Sequence, residues 1–238
     1  MQNTLALLLF VALLVYIFAR TTDHPRYDLI VSDSNLLWHG LVTTLWTSLF
    51  TLLLSMLFGF VLYLLGRSPI PFVKALVSIF QEIVMGTPLL VMIFLCVYVL
   101  GVVIHIENKL VLGVTGMTLY MSPYLANSFS SAISVIDEDQ YLVMDLYRFT
   151  AYQRYRYVIF PQMLRPLMPS LLNNLSNIIK GSALLRIVAI TEISYVITVI
   201  SQRNWATIEG YLIMWAMYLI ITIPLSILAQ YIGRRLTV

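Results

Sequence analysis

The amino-acid sequence predicts an all-α integral membrane protein with about six transmembrane helices. Of its 238 residues, 60% are hydrophobic and 11% are charged, and the mean hydropathy is +0.89. Soluble domains carry about 25% charged residues, so an ordinary soluble domain is excluded. The apolar residues form long runs separated by short polar connectors, and about 20 consecutive apolar residues cross a bilayer as one helix.

The first apolar run, residues 4–19, is followed by a polar connector, and we expect residues 1–36 to form a membrane anchor with that connector. A cleaved signal peptide is the alternative. No Lys or Arg precedes the run and no small-residue cleavage site follows it. An uncleaved anchor is therefore the preferred prediction.

The second span is predicted at residues 37–65, and a third apolar region follows at residues 73–103. The third region contains Glu82 and the sequence Gly86-Thr87-Pro88. Proline removes a backbone donor, so a helix break at membrane depth must be covered by neighbouring helices or line a cavity. A proline kink that serves only packing is the alternative.

Three further spans complete the prediction, at residues 110–136, from about residue 170 to 204, and at residues 208–232. The fifth is expected to start near Ser170 because Pro166 and Pro169 precede it. It is also the most polar span. Its polar and charged residues include Asn173, Asn177, Lys180, Ser182, Arg186 and Glu192.

A basic segment, residues 139–165, lies between the fourth and fifth spans. Leu142, Leu146 and Phe149 recur at helical spacing and predict a short amphipathic helix, which we expect to end before Pro161. Arginines that only keep a loop on the inner side, with tyrosines at the lipid headgroups, are the alternative. Basic residues number eight in the predicted inner loops and four in the outer ones, which favours both termini inside.

Several classes of function are excluded. A single cysteine, Cys96, and three scattered histidines offer neither a disulfide nor metal-ligand spacing. No phosphate-binding Gly-x-x-x-x-Gly-Lys-Ser/Thr motif occurs, so the chain itself is not an ATPase. We therefore expect no catalytic residue, no bound metal or cofactor and no nucleic-acid partner.

Four motifs occur in the order found in one known family. The run EIVMGTPLLVM, from Glu82 to Met92, resembles the Glu-x-x-Arg-Gly-Thr-Pro-Leu-Leu-Val-Gln motif of permease subunits of ABC importers for polar amino acids. Further resemblances lie at Thr118-Leu119-Tyr120 with Tyr124, at Val158-Ile159-Phe160-Pro161-Gln162 with Leu164-Arg165, and at residues 173–192. The resemblance covers about residues 37–235.

The resemblance implies a five-helix type I ABC importer core at residues 37–238, with an extra N-terminal helix and a cytoplasmic coupling loop near residues 137–165. It also implies a multi-pass protein of the bacterial inner membrane that moves a polar amino acid by alternating access. The expected partners are a dimer of cytoplasmic ATP-binding subunits that holds the ATP, a second permease, a periplasmic amino-acid-binding protein and membrane lipids.

Two groups of residues are the predicted sites. The substrate pathway is expected to involve Glu82, Gly86, Thr87, Pro88, Lys180, Ser182 and Arg186. ATPase coupling is expected to involve Leu142, Asp145, Leu146, Arg148, Phe149, Arg154 and Arg156. Arg186 could bind a substrate carboxylate as a two-pronged donor, or it could pair with Glu82 or Glu192 and only hold helices together.

The chain departs from the family pattern at several charged positions. Met85 replaces its arginine, Met92 its glutamine and Gly181 its aspartate, while the coupling loop carries Arg148 where the family has glycine. We therefore expect a heterodimer in which the second permease keeps the usual residues. Import of another small polar solute and a non-transporting membrane scaffold are the alternatives.

Overall fold

The computed structural model describes residues 26–236, with side chains up to Arg234, and residues 9, 12–13, 15–17 and 19–20 before them. The predicted first span therefore lies largely outside the described residues. From Arg26 onward every regular element is a helix. These helices are α1 (Tyr27–Val31), α2 (Ser34–Gly66), α3 (Pro71–Gly86), α4 (Leu89–Val103), α5 (Lys109–Ile133), α6 (Glu138–Leu146), α7 (Ala151–Val188), α8 (Ile193–Arg203) and α9 (Thr207–Leu236).

Two of the described helices, α2 and α9, are each long and apolar enough to cross a membrane. The pairs α3–α4 and α7–α8, bent by 109° and 52°, raise the number to four if each pair is one span. Helix α5 has 25 residues, about 37 Å at 1.5 Å per residue, and packs against α2, α4 and α7. The all-α membrane architecture is thus confirmed, whereas the total of six spans stays a prediction.

Small residues form the buried face of α2. The stripe contains Gly40, Thr44, Thr47, Ser48, Thr51, Ser55 and Gly59. A Cβ atom at Gly59 would lie 2.8 Å from the Leu125 Cβ atom and 2.8 Å from the Ser122 carbonyl oxygen, so the backbones of α2 and α5 approach closely there. Small residues are the usual means of close helix packing in membranes, where lipid already solvates large apolar side chains.

The predicted start of the fifth span near Ser170 is wrong, because α7 begins at Ala151 and continues through three prolines. Thr150 and Gln153 form a capping box: the Gln153 amide donates to Thr150 Oγ1 at 3.3 Å, and the Thr150 amide donates to Gln153 Oε1 at 2.8 Å. A π-helical turn, Arg154–Ile159, precedes Pro161. The wider turn interrupts the regular hydrogen-bond ladder where the proline cannot donate, so Pro161 does not end a helix.

Polar contacts tie the residues that flank α1 to the end of α8 and the start of α9. Asp33 and Arg203 form a salt bridge, and the Arg26 amide donates to Glu209 Oε1 at 3.1 Å. These contacts join residues predicted to face the outside. The inner loop of the predicted topology, residues 134–156, runs from the end of α5 through α6 into the first turns of α7.

Candidate functional site

The break at Gly86, Thr87 and Pro88 separates α3 from α4. Thr87 is extended, with φ −95° and ψ 131°, as the following proline ring requires. The Thr87 amide donates to the Val84 carbonyl oxygen at 3.1 Å instead of to the Ile83 carbonyl oxygen, its regular partner in an α-helix. The Thr87 hydroxyl donates to the Ile83 carbonyl oxygen at 2.7 Å and so replaces the missing bond. A Cβ atom at Gly86 would meet nothing within 4 Å. The predicted break is present, and it borders open space.

A polar stripe lies on one face of α7 and consists of Asn173, Asn177 and Lys180, all exposed. Within the described residues, none of these side chains makes a hydrogen bond or a salt bridge. Charged groups at membrane depth cost about 2.5–3.5 kcal/mol on insertion scales and face the bundle interior or water. We therefore expect the polar stripe to face an aqueous cavity or another polypeptide.

The polar stripe and the break belong to one region of the protein. A Cβ atom at Gly181 would lie 2.9 Å from the Leu89 Cδ2 atom, so α7 packs closely on the first residue of α4 at this position. Leu89 follows Pro88, and Lys180 precedes Gly181. The fold thus places the segment that contains Lys180 next to the segment that follows the break, although the two are separated by about 90 positions in the chain.

Glu192 is a fully buried carboxylate at the start of α8. It accepts hydrogen bonds from the Ser194 amide at 2.8 Å, from the Tyr195 amide at 2.7 Å and from the Tyr218 hydroxyl at 2.8 Å. The amides at a helix start have no partner inside the helix, and an acceptor there also favours the helix dipole. Glu192 therefore caps α8 and joins it to α9.

Arg186 lies beside this cap. Its Nη1 atom donates a hydrogen bond of 3.1 Å to Thr198 Oγ1 on α8. Within the described residues Arg186 forms no salt bridge with Glu82 or Glu192, the two acidic partners considered from the sequence. The half-buried guanidinium therefore joins α7 to α8 through one hydrogen bond.

Glu82 and Ser182 occupy different surroundings. Glu82 is exposed on α3 and accepts a hydrogen bond of 3.4 Å from Ser78 Oγ. Ser182 is fully buried, and its hydroxyl donates to the Ile179 carbonyl oxygen at 2.8 Å. Of these two predicted pathway residues, only Glu82 borders open space.

The inner loop is held in a compact conformation. Asp137 caps α6 by accepting from the Asp139 amide at 2.9 Å. Arg154 forms a salt bridge with Asp145, and its Nε atom donates to the Phe149 carbonyl oxygen at 3.1 Å. Arg154 therefore stabilises the loop from within.

Exposed apolar side chains project from α6. Leu142 is 62% exposed and Leu146 is 81% exposed, and they lie one turn apart. Phe149, predicted to share this face, instead packs against the hydrophobic core, because α6 ends at Leu146. Arg148 follows the helix end with φ 53°, in the left-handed region that favours glycine.

Two features were missed by the sequence analysis. Asn173 and Asn177 were noted but not assigned to a site, although two amides one turn apart on a predicted span were a usable signal. Gln140 on α6 and Gln162 on α7 exchange hydrogen bonds of 3.2 and 2.7 Å. This pair joins residues 22 positions apart, and no local pattern indicates it.

No group of three His, Cys, Asp or Glu residues that could hold a metal ion occurs in the part of the chain that the structure describes. The described residues combine a broken helix beside a polar helix face with a compact loop that carries an exposed apolar surface. That combination defines a multi-pass membrane transport subunit, since broken helices in transporters line substrate and ion sites.

Comparison with known proteins identifies the family. Residues 63–238 match the family described as "Binding-protein-dependent transport system inner membrane component", and the chain belongs to this family. It is thus a multi-pass permease of the bacterial inner membrane, as the resemblance implied.

Individual relatives and a solved structure agree with this assignment. The chain is 29% identical to the "Probable glutamine ABC transporter permease protein GlnM" of Bacillus subtilis (strain 168), over 52% of this chain and 57% of that protein. It is 25% identical to the "Probable amino-acid permease protein YxeN" of the same organism, over 89% of this chain and 96% of that protein. The structure titled "Crystal structure of an amino acid ABC transporter with histidines" is similar with a TM-score of 0.80 and 25% identity, covering 89% of this chain and 99% of that one.

Proposed function

We propose that this chain is one of two permease subunits of an ABC importer that carries a polar amino acid inward by alternating access. The observation that carries the proposal is the polar stripe beside the break between α3 and α4. Lys180 offers a positive charge, and Asn173 and Asn177 offer amide donors and acceptors, which suit a carboxylate and an ammonium group. The named substrates of the similar proteins support an amino acid.

A separate cytoplasmic ATPase dimer binds and hydrolyses the ATP, and it docks on α6. Leu142 and Leu146 supply an apolar contact, and apolar side chains at the centre of an interface commonly carry its affinity. Two contacts fix α6 to α7: the salt bridge between Asp145 and Arg154, and the Gln140–Gln162 pair. Motion of the ATPase is then transmitted to α7, which carries the polar stripe.

The polar stripe forms one side of the substrate pathway, and a second permease supplies the other side. An external binding protein delivers the substrate. The departures from the family pattern favour an unlike second permease. At Gly181, where the family has aspartate, Leu89 occupies the space beside the backbone. The second permease then supplies the charged groups that this chain lacks.

The test is reconstitution in lipid nanodiscs of the permease pair with the ATPase and the binding protein, followed by uptake and substrate-stimulated ATP hydrolysis. Lys180→Gln should lower amino-acid uptake about 10- to 100-fold, because hydrogen bonds to charged groups contribute about 1.5–3 kcal/mol. Lys109→Gln removes an exposed lysine that is not part of the polar stripe and should leave uptake unchanged.

Docking is tested by Leu146→Glu, which should abolish co-purification of the ATPase without changing the thermal unfolding of the permease. A wild-type chain that purifies without any ATPase would contradict the proposal and support the alternative of a non-transporting membrane scaffold. Uptake of a different polar solute, with the ATPase bound, would contradict only the substrate class.

A further inference from the structure

An apolar groove of about 690 Å³ lies between α2, α5 and the first half of α7. Phe60 on α2, Phe129 on α5 and Leu164 on α7 form parts of its wall, and it extends along α7 to Leu171. Its residues take no part in the polar stripe or in α6.

The groove and the polar stripe lie on opposite faces of α7. Each stripe residue follows a groove residue by nine positions, and nine residues are two and a half turns of an α-helix. The pairs are Leu164 and Asn173, Met168 and Asn177, and Leu171 and Lys180. If the polar face borders the pathway and the second permease, the apolar groove faces the lipid.

Basic and aromatic residues stand where α7 leaves the membrane. Arg156, Tyr152 and Tyr155 line the groove at this end, and all three side chains are exposed. Within the described residues Arg156 makes no side-chain hydrogen bond or salt bridge, in contrast to Arg154, which is bound to Asp145. A long cation can lay its aliphatic stem on an apolar wall and keep its charged end at the headgroup level, and tyrosines favour the same level.

The length of the groove matches one membrane leaflet. From Arg156 to Leu171 is 15 residues, or about 22 Å at 1.5 Å per residue. Half of a bilayer about 40–45 Å thick, headgroup regions included, is about 20–22 Å. A lipid whose headgroup lies at Arg156 therefore reaches the middle of the bilayer inside the groove.

We propose that this groove binds an anionic phospholipid of the leaflet next to α6, with its acyl chain against Phe60, Phe129 and Leu164 and its phosphate at Arg156. The apolar wall alone would accept any lipid. The unpaired positive charge at its mouth selects an anionic headgroup. Arg156 then acts in lipid binding rather than in contact with the ATPase.

The test is native mass spectrometry of the full-length chain, purified in mild detergent and exposed to equal amounts of phosphatidylglycerol and phosphatidylcholine. Wild-type protein should retain phosphatidylglycerol preferentially. Arg156→Gln should lower that preference about fivefold, the effect of one basic residue near an anionic surface. Lys74→Gln removes an exposed charge that does not line the groove and should leave the preference unchanged.

A second variant, Leu164→Trp, fills the groove and should reduce retention of both lipids, with thermal unfolding used to verify that the chain folds. Equal retention of the two lipids by wild-type protein would overturn the proposal. Loss of association between subunits in Leu164→Trp, with lipid retention unchanged, would also overturn it and would identify the groove as a subunit interface.

Discussion

Replacing Glu192 with alanine removes a buried carboxylate that three donors share, and we expect a clear loss of stability. Loss of a helix N-cap costs about 0.5–2 kcal/mol. The bond from Tyr218 joins two helices, and bonds of this kind contribute about 0.6 kcal/mol on average and up to about 1.7 kcal/mol. The two effects together amount to about 1–4 kcal/mol, with a middle value near 2.5 kcal/mol.

The assay is thermal unfolding of the purified chain in detergent. At about 2–4 °C per kcal/mol for a chain of this size, Glu192→Ala should lower Tm by about 5–10 °C. Glu192→Gln keeps an acceptor in place and should cause a smaller decrease. Glu107 is exposed at the loop between α4 and α5, so Glu107→Ala is the matched control and should leave Tm within about 1 °C. An equal, small effect of both alanine variants would refute the capping role.

Three further predictions use thermal unfolding, and the last of them also uses ATP hydrolysis. Arg148→Gly should raise Tm by about 2–4 °C, because the left-handed conformation costs an L-residue about 1 kcal/mol, and a decrease would contradict this. Gly59→Ala should destabilise by about 1–3 kcal/mol through overpacking against α5, whereas Gly86→Ala, with open space around it, should be neutral or slightly stabilising. Asp145→Ala removes the largely exposed ion pair with Arg154 and should change the free energy of unfolding by less than about 1 kcal/mol. In the reconstituted importer the same variant should reduce substrate-stimulated ATP hydrolysis, and unchanged hydrolysis would argue against a role of this ion pair in coupling.

The positions of most spans were predictable from the sequence, because length and apolar composition decide them locally. The second span was predicted at residues 37–65 and is α2, Ser34–Gly66. The break before Pro88 was also predictable, since a proline acts on the turn that precedes it. The start of α7 was not predicted, because three prolines suggested a connector and the capping box at Thr150 was overlooked.

The orientation of each helix about its axis was much harder to predict. In a membrane, both the lipid-facing and the buried sides of a helix are apolar, so hydrophobic periodicity gives little information. The buried face of α2 carries glycine, serine and threonine, while many of its large apolar side chains are exposed. Phe149 was assigned to the exposed face of α6 for a related reason: helical spacing does not show where the helix ends.

The sequence by itself determined that this chain is a helical membrane protein and that a helix breaks before Pro88. Those properties follow from composition and from the local geometry of proline. Only the tertiary structure decided the partners of the charges. Arg186 donates a hydrogen bond to Thr198, Arg154 pairs with Asp145, and Arg156 lines an apolar groove, because interactions between helices depend on how distant segments pack and not on neighbours in the chain.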